Sequence, residues 1–236
     1  MFAFSGISLL IDTSRENYKH SVIDQLCYLF FIPKIFAGPI IRPNDFMSQL
    51  DNIFRSSRSE LYLACKLLIY SGFCKFIVAD NLVQDNMLDS LQGVELSAAS
   101  LAYGIRFFID FYAYSIMAVA ISLLVGVKLP YNFCNPYHST SFKDFWKRWN
   151  ITLSEWLRYY IYGPLGGSKK SRFFTTINLL CVFIVSALWH GMTVPFIIWG
   201  VMHAFFLIIE KFMHFNTSWL YRSFVVIVCC MMWQLF

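Results

Sequence analysis

The chain of 236 residues is 58% hydrophobic and only 14% charged, with a formal net charge of +5 at pH 7. An average soluble domain carries about 25% charged residues, so the composition excludes an ordinary soluble protein and predicts an all-α, polytopic membrane protein. The positive charge is small and unevenly distributed, which favours an effect on membrane orientation, and we expect no nucleic-acid partner.

Apolar segments long enough to cross about 30 Å of hydrocarbon predict the spanning helices. In chain order they cover residues 22–41, 61–79, 96–127, 173–188 and 194–209, and a last one begins near Ser223. Segment 96–127 is long enough for one tilted or broken helix, or for two short ones. The first residues, MFAFSGISLLID, are similar to the back half of a further span. We therefore expect residues 1–236 to form a single membrane domain that is only part of a longer one.

The distribution of lysine and arginine predicts which loops are cytoplasmic, because positively charged loops tend to stay on that side. Arg42, Arg55 and Arg58 follow the first predicted span, and eight lysines and arginines lie within 128–172. The loop 80–97 is acidic and contains no lysine or arginine. We therefore expect the two basic loops in the cytoplasm and the acidic loop outside, which agrees with single spans at 61–79 and 96–127.

Two charged residues, Arg106 and Asp110, lie inside a predicted span. They are four residues apart, so they share one helix face and can pair. Ionisable residues within a membrane usually face the protein interior or a wet cavity. We interpret the two residues as a structural ion pair that joins helices, and the alternative is a role in a substrate cavity.

The stretch STSFKDFWKRWNITLSEWLRYYIYGPLGGSKK predicts two short amphipathic helices in the plane of the membrane interface. Ser141 with Asp144, and Thr152 with Glu155, have the spacing of capping boxes that begin the two helices. Large apolar side chains recur three and four residues apart on one face of each helix, whereas basic residues and Asn150 lie on the opposite face.

Two polar residues stand out from their surroundings. His190 lies inside the apolar run VSALWHGMTVPFIIWG, and Asn150 lies within FWKRWNITLSEW. A neutral imidazole in such a run needs hydrogen-bond partners, and a charged one is costly to bury. From the residues alone, His190 is either a structural histidine between packed helices or a functional group, and a membrane-surface role does not account for Asn150.

Several blocks occur in order between about residues 6 and 210. They are FFIPKIFAGPIIRPNDF, DFYAYSIMAVAISLLVGVKLPYNFCNPY, FKDFWKRWNITLSEWLRYYIYGPLGG, ALWHG and IIWGVMHA. Together they resemble the membrane-bound O-acyltransferase (MBOAT) family, in particular the bacterial branch that modifies alginate and teichoic acids. The resemblance implies a multi-helix membrane enzyme that moves an acyl group onto a hydroxyl, with His190 as catalytic base and Asn150 as the second polar residue. It also implies substrate-binding roles for neighbouring residues of the same blocks, namely Trp146, Arg148, Trp149, Trp189 and His203.

The chain departs from that branch at three positions. It has Asn150 where the branch usually has histidine, although other branches of the family have asparagine there. Ile116 and Tyr159 replace two aspartates of the branch, and relatives have several more spans at the N-terminus. An inactive or truncated homologue that acts as a scaffold is therefore an alternative to an active enzyme.

Acyl transfer to an alcohol needs a base for the hydroxyl proton and a donor to the oxyanion. Neutral His190 suits the first role, and the Asn150 amide can hold the substrate or the oxyanion. We therefore interpret the chain as an O-acyltransferase that passes acetyl groups toward hydroxyls of an exported polysaccharide. We expect no metal and no bound cofactor, with acetyl-CoA or an acyl carrier as the donor substrate.

The resemblance also implies the setting of this reaction. It places the chain in the bilayer of the bacterial inner membrane. An extracytoplasmic acetyltransferase and the polysaccharide export machinery are the implied partners. A transporter with a polar intramembrane cavity is an alternative from another class, but the sequence lacks the paired halves typical of many transporters.

Overall fold

The computed structural model describes residues 1–16, 20–35, 37–83, 92–213, 215 and 217–235. Within these ranges the chain is helical and contains no β-strand. Among the described residues, four helical stretches are long and apolar enough to cross a membrane: Arg58–Leu82, Gly93–Leu124, Arg172–His190 and Val194–Phe212. Large apolar side chains on these helices are exposed, as expected where the surrounding solvent is lipid. The fold is that of an all-α polytopic membrane protein.

The helices are numbered in chain order. They are α1 (Phe2–Glu16), α2 (Val22–Leu29), α3 (Ile32–Ile35), α4 (Pro43–Met47), α5 (Arg58–Gly72), α6 (Asp80–Leu82), α7 (Gly93–Leu124), α8 (Phe142–Trp146), α9 (Ile151–Leu157), α10 (Arg172–His190), α11 (Val194–Phe212) and α12 (Trp219–Met232). Two π-helical stretches, Phe73–Ala79 and Arg158–Tyr162, continue α5 and α9. Single 3₁₀ turns cover Leu50–Asn52, Pro136–His138 and Trp233–Leu235.

Four of the predicted spans are confirmed as candidate spanning helices; three have longer bounds, and α7 is shifted toward the N-terminus by three residues relative to 96–127. The stretch from α5 to α6 contains 61–79, α7 is one unbroken helix of 32 residues, and α10 and α11 contain the last two long segments. The prediction of a span at 22–41 is wrong, because α2 has eight residues and α3 has four. Phe30 closes α2, and Pro33 lacks the amide hydrogen that would continue the same helix. Helix α12 begins before Ser223, at Trp219, and has 14 residues.

One compact unit contains residues 1–81 and 109–132. Its core is formed by buried side chains of α1, α2, α4, α5 and the second half of α7, including Tyr28, whose hydroxyl donates to the Ile41 carbonyl at 2.9 Å. In the same unit, Lys75 pairs with Asp110 at 2.8 Å and with Asp80 at 2.9 Å. Asp110 is therefore an ion-pair partner of Lys75, and its predicted pairing with Arg106 stays a prediction.

A second compact unit contains residues 82–108 and 133–236. In it α10 and α11 form a helical hairpin, α8 packs against α11, and the π-helical stretch after α9 packs against α10. The apolar faces of α8 and α9 are buried inside the unit, including Phe145 and Leu153. The amphipathic pattern of these helices is therefore explained by burial in protein. Their predicted position at the membrane interface stays a prediction.

The two predicted capping boxes have different outcomes. The Ser141 hydroxyl accepts from the Asp144 N–H at 2.9 Å, which confirms Ser141 as the cap of α8. The second prediction is wrong, because α9 begins one residue before Thr152 and has Asn150 as its cap residue, without a side-chain cap bond. The predicted position of Asn150 on a polar face is also wrong, since the side chain is 2% exposed.

Candidate active site

The α10–α11 hairpin positions His190. This histidine is the last residue of α10, and Trp199 lies near the start of α11. The two helices approach closely at Gly200, where a Cβ would lie 2.7 Å from the Phe183 carbonyl oxygen and 2.9 Å from the Ala187 Cβ. Small residues permit such close packing of membrane helices. The close approach brings the rings of His190 and Trp199 to 5.5 Å between centroids.

The His190 ring is partly buried among aromatic side chains. The ring centroids of Trp189 and Phe196 lie 4.4 and 6.0 Å from it. The contact with Phe196 depends on Gly191, because a Cβ there would lie 2.7 Å from the Phe196 ring. Since His190 ends α10, the carbonyl groups of the last helical turn favour a positive charge nearby. An imidazolium formed when His190 accepts a proton would gain from that field.

His203 is enclosed in the same hairpin. Its side chain is fully buried, with ring centroids of Trp146, Trp199 and Phe183 at 5.0, 4.9 and 6.1 Å. Neither of its ring nitrogens has a hydrogen-bond partner in the described part of the chain. Trp199 contacts both His203 and His190, so the two histidines belong to one aromatic cluster. We call this group, with Trp146, Trp189, Phe183 and Phe196, the Trp199 cluster.

Asn150 occupies a special backbone position between α8 and α9. Its φ and ψ of 41° and 56° lie in the left-handed region, which asparagine adopts more readily than most residues. Its carbonyl accepts the Ser154 N–H at 3.0 Å and so starts α9. The side-chain Oδ1 is buried and has no hydrogen-bond partner among the described residues. A buried acceptor without a donor is costly in a folded protein, so this oxygen is available to a substrate hydroxyl or a water.

Trp149, the neighbour of Asn150, is packed on several sides by other rings. It is 2% exposed, and the nearest of these rings is Trp233, with a centroid distance of 4.3 Å. Trp233 in turn lies 6.0 Å from Trp199. The Trp233 ring therefore connects Trp149 to the Trp199 cluster, which contains His190.

Arg148 forms part of a structural link. Its Nε donates to Asp144 at 3.0 Å, and its carbonyl accepts the Cys134 N–H at 3.0 Å. Burial alone raises the pKa of the Asp144 carboxyl, but hydrogen bonds from the Thr140 N–H and Arg148 outweigh burial and hold the pKa below its ordinary value. These contacts join the loop before α8 to the end of α8. A substrate-binding role for Arg148 stays a prediction.

Glu210, which no sequence pattern singled out, holds α8 in place. One carboxylate oxygen accepts the Phe142 N–H at 2.8 Å and the Tyr221 hydroxyl at 2.6 Å, and the other accepts the Lys143 N–H at 2.7 Å. The N–H groups of Phe142 and Lys143 belong to the first turn of α8, where they have no partner within the helix and attract negative charge. Glu210 on α11 thus orients the short helix that carries Trp146.

A cavity of about 560 Å³ lies within the second unit. Trp146 is one of the seven predicted site residues, and it lines this cavity. Glu210 and Lys211, which were not predicted, line it as well. Lys211 donates to the Ser168 hydroxyl at 2.6 Å, close to the hydroxyl of Tyr162. His190, Asn150 and the other predicted residues lie elsewhere in the same unit.

The structure thus groups the predicted residues in three ways. Trp146, Trp189, His190 and His203 meet in the Trp199 cluster. Trp149, the chain neighbour of Asn150, adjoins that cluster through Trp233, and Arg148 serves a separate link. Within the described ranges, no three His, Cys, Asp or Glu side chains lie together in a way that could hold a metal ion. A base and an amide near one aromatic cluster can perform acid–base chemistry on a hydroxyl.

Comparison with known proteins gives consistent matches. The sequence model of the MBOAT, membrane-bound O-acyltransferase family, matches residues 7–231. The protein named "Probable alginate O-acetylase AlgI" of Pseudomonas fluorescens is 35% identical over 225 residues, covering 92% of this chain and 45% of that protein.

Two further relatives carry different names. "Peptidoglycan O-acetyltransferase" of Helicobacter pylori is 35% identical over 206 residues, covering 84% of this chain and 39% of that protein. "Teichoic acid D-alanyltransferase" of Streptococcus thermophilus is 29% identical over 242 residues, covering 93% and 56%. The chain spans about half the length of the curated relatives it matches.

Proposed function

Because the chain belongs to the membrane-bound O-acyltransferase family, we propose that it takes part in transfer of an acyl group, most simply acetyl, to hydroxyls of an exported polysaccharide. Relatives named for alginate and peptidoglycan O-acetylation support both the acetyl group and a polysaccharide acceptor. The observation that carries the proposal is the position of His190, which ends a spanning helix and is partly buried among aromatic rings.

In the proposed reaction His190 is the general base. Its neutral imidazole accepts the proton of the acceptor hydroxyl while the oxygen attacks the acyl carbonyl, and the resulting imidazolium is stabilised by the carbonyl end of α10. The imidazolium then returns the proton to the leaving group of the acyl donor. The surrounding rings exclude water, which would otherwise compete as acceptor.

Asn150 is the proposed positioning group for substrate. Its buried Oδ1 lacks a hydrogen-bond donor in the described chain, which supports an interaction with the acceptor hydroxyl. Its amide nitrogen can donate to the oxyanion that forms on the acyl carbonyl. An asparagine cannot act as a base, so the roles of Asn150 and His190 are distinct.

The proposal also includes the setting of the reaction. The acyl donor is acetyl-CoA or an acyl carrier. In this proposal the hydroxyl that His190 activates belongs to an extracytoplasmic acetyltransferase, which passes the acetyl group on to the polysaccharide beside the export machinery. The chain would act in the bacterial inner membrane as a multi-pass protein, supported by its four candidate spans.

A scaffold without turnover is the second candidate. It is favoured by Ile116 and Tyr159, which take the places of two aspartates of the branch. Ile116 is 5% exposed and lies in the core of its unit, and the Tyr159 ring packs on Tyr160 at 4.8 Å. Both residues are accommodated by packing, so the fold persists without the two carboxylates.

The acetyl content of the cell's exported polysaccharide tests the proposal. We expect His190→Ala, expressed from the natural gene in place of the wild type, to lower acetylation by at least about 100-fold, since general-base catalysis contributes 10²–10⁴-fold. His138→Ala is the matched control, because His138 is exposed and should leave acetylation unchanged. Normal acetylation in the His190→Ala strain would exclude His190 as the base. If deleting the gene abolishes acetylation while His190→Ala preserves it, the scaffold is supported.

A further inference from the structure

The 560 Å³ cavity in the second unit combines an apolar wall with a basic rim. Its wall includes Trp146, Leu179, Val182 and Phe183, while its rim carries four cationic side chains: Lys143, Lys147, Arg158 and Lys211. Its volume is within the range of pockets that hold small ligands. Such a combination suits an amphiphile that has an anionic head and an apolar tail.

The acidic residues of this cavity are already engaged. Glu210 accepts hydrogen bonds from two amides of α8 and from Tyr221, and Glu155 lies 4.0 Å from Arg158. No carboxylate lies within ion-pair distance of Lys143 or Lys147 in the described part of the chain. Since four cationic and two acidic side chains line the cavity, its lining has a net positive charge.

The position of the cavity along the spanning helices gives it an orientation. Lys211 belongs to the last turn of α11, where a spanning helix reaches the membrane–water boundary, while Val182 lies in the middle of α10. Basic side chains at such a boundary bind lipid phosphates, and apolar side chains deeper in the span contact acyl chains. The basic rim and the apolar wall thus match the two ends of a membrane lipid.

We propose that this cavity binds an anionic phospholipid, with the phosphate at the basic rim and the first part of one acyl chain along the apolar wall. The same chemistry would also suit a phosphate-bearing acyl donor. We assign the lipid because the cavity is bounded by two spanning helices. This assignment does not depend on acyl transfer.

Native mass spectrometry of the full chain in uncharged detergent tests the assignment. Phosphatidylglycerol, phosphatidylcholine and coenzyme A serve as probes. We expect the chain to retain phosphatidylglycerol in preference to phosphatidylcholine. Each lysine near an anionic head contributes about fivefold in affinity, so Lys143→Gln with Lys147→Gln should weaken phosphatidylglycerol binding roughly 30-fold. Thermal unfolding of the variant should match the wild type, since both side chains are exposed.

Lys169→Gln with Lys170→Gln is the matched control. Both lysines are exposed and belong to the same basic stretch, but neither lines the cavity. Val182→Phe should narrow the cavity at its apolar wall. Binding of long-chain phosphatidylglycerol should then weaken, whereas binding of dihexanoyl phosphatidylglycerol should not change. Equal loss in the two lysine variants, equal retention of the two lipids, or an unchanged Val182→Phe variant would overturn the assignment. Binding of coenzyme A without phosphatidylglycerol would overturn it in favour of a phosphate-bearing donor.

Discussion

At the scale of single residues, Asn150 combines a backbone property with a side-chain property. The backbone is left-handed, and the side-chain oxygen is buried without a donor among the described residues. Glycine and alanine both lack the side-chain amide. Glycine adopts the left-handed backbone conformation without strain, whereas alanine is strained in it. A comparison of these two substitutions therefore separates folding from chemistry.

We predict that Asn150→Gly and Asn150→Ala both lower polysaccharide acetylation by at least about tenfold, because both remove the group proposed to hold substrate or oxyanion. Asn150→Ala should in addition lower the free energy of unfolding by about 1–2 kcal/mol more than Asn150→Gly, because a left-handed Cβ is unfavourable. Acetylation assays and thermal unfolding in detergent measure the two effects. Normal acetylation by Asn150→Gly at wild-type protein levels would exclude a role for the amide.

Sequence patterns identified His190 and Asn150 but not how each is held. A lone polar residue in an apolar run can be recognised from the sequence, and the family resemblance suggested the roles proposed for both residues. The left-handed backbone and burial of Asn150 depend on how α8 and α9 are joined and packed, which a local pattern does not contain. The same holds for Thr152, whose spacing to Glu155 fits a capping box although α9 begins before it.

At the scale of helices, Gly200 sets the distance between α10 and α11, and its effect can be tested against another helical glycine. We predict that Gly200→Ala lowers the free energy of unfolding by about 1–3 kcal/mol, because the added Cβ would lie 2.7 Å from a backbone oxygen that cannot easily move. It should also lower acetylation, since the hairpin positions Trp199 beside His190.

Gly72→Ala in α5 is the control for this prediction. A Cβ at Gly72 would have no atom within 4 Å, so the change should be neutral or stabilise by up to about 1 kcal/mol through helix propensity. Unfolding of both variants in a denaturing detergent series measures the difference. Equal stability of the two variants would show that the α10–α11 hairpin tolerates the wider spacing.

Helix prediction succeeded where apolar length alone determines the element. Helices α7, α10 and α11 have long apolar sequences. In lipid a helix satisfies the backbone hydrogen bonds of such a sequence, and few other structures do. The segment 22–41 is equally apolar, but Pro33 interrupts it and the chain folds into short helices. Glu210 was missed because its partners, the amides of Phe142 and Lys143, are 67 or more residues away in sequence.

At the scale of the whole molecule, charge distribution governs orientation in the membrane. Basic residues are concentrated in 128–172, and the loop 80–97 contains only acidic charges. Part of the acidic loop, residues 84–91, lies outside the described residues. Retention of positively charged loops in the cytoplasm predicts opposite sides for these two loops, and α7, a candidate spanning helix, lies between them.

This orientation predicts which cysteines a membrane-impermeant maleimide can reach. Cys134 is exposed in the basic loop, and Gln92 is exposed at the end of the acidic loop. In a chain whose other cysteines are replaced by alanine, Cys134 should react in inverted membrane vesicles and not in intact spheroplasts. Gln92→Cys, in a chain that lacks Cys134, should show the reverse, because a single spanning helix separates the two positions. Labelling of both positions from the same side would mean that α7 does not cross the bilayer, and the charge distribution would then not determine the orientation of the chain.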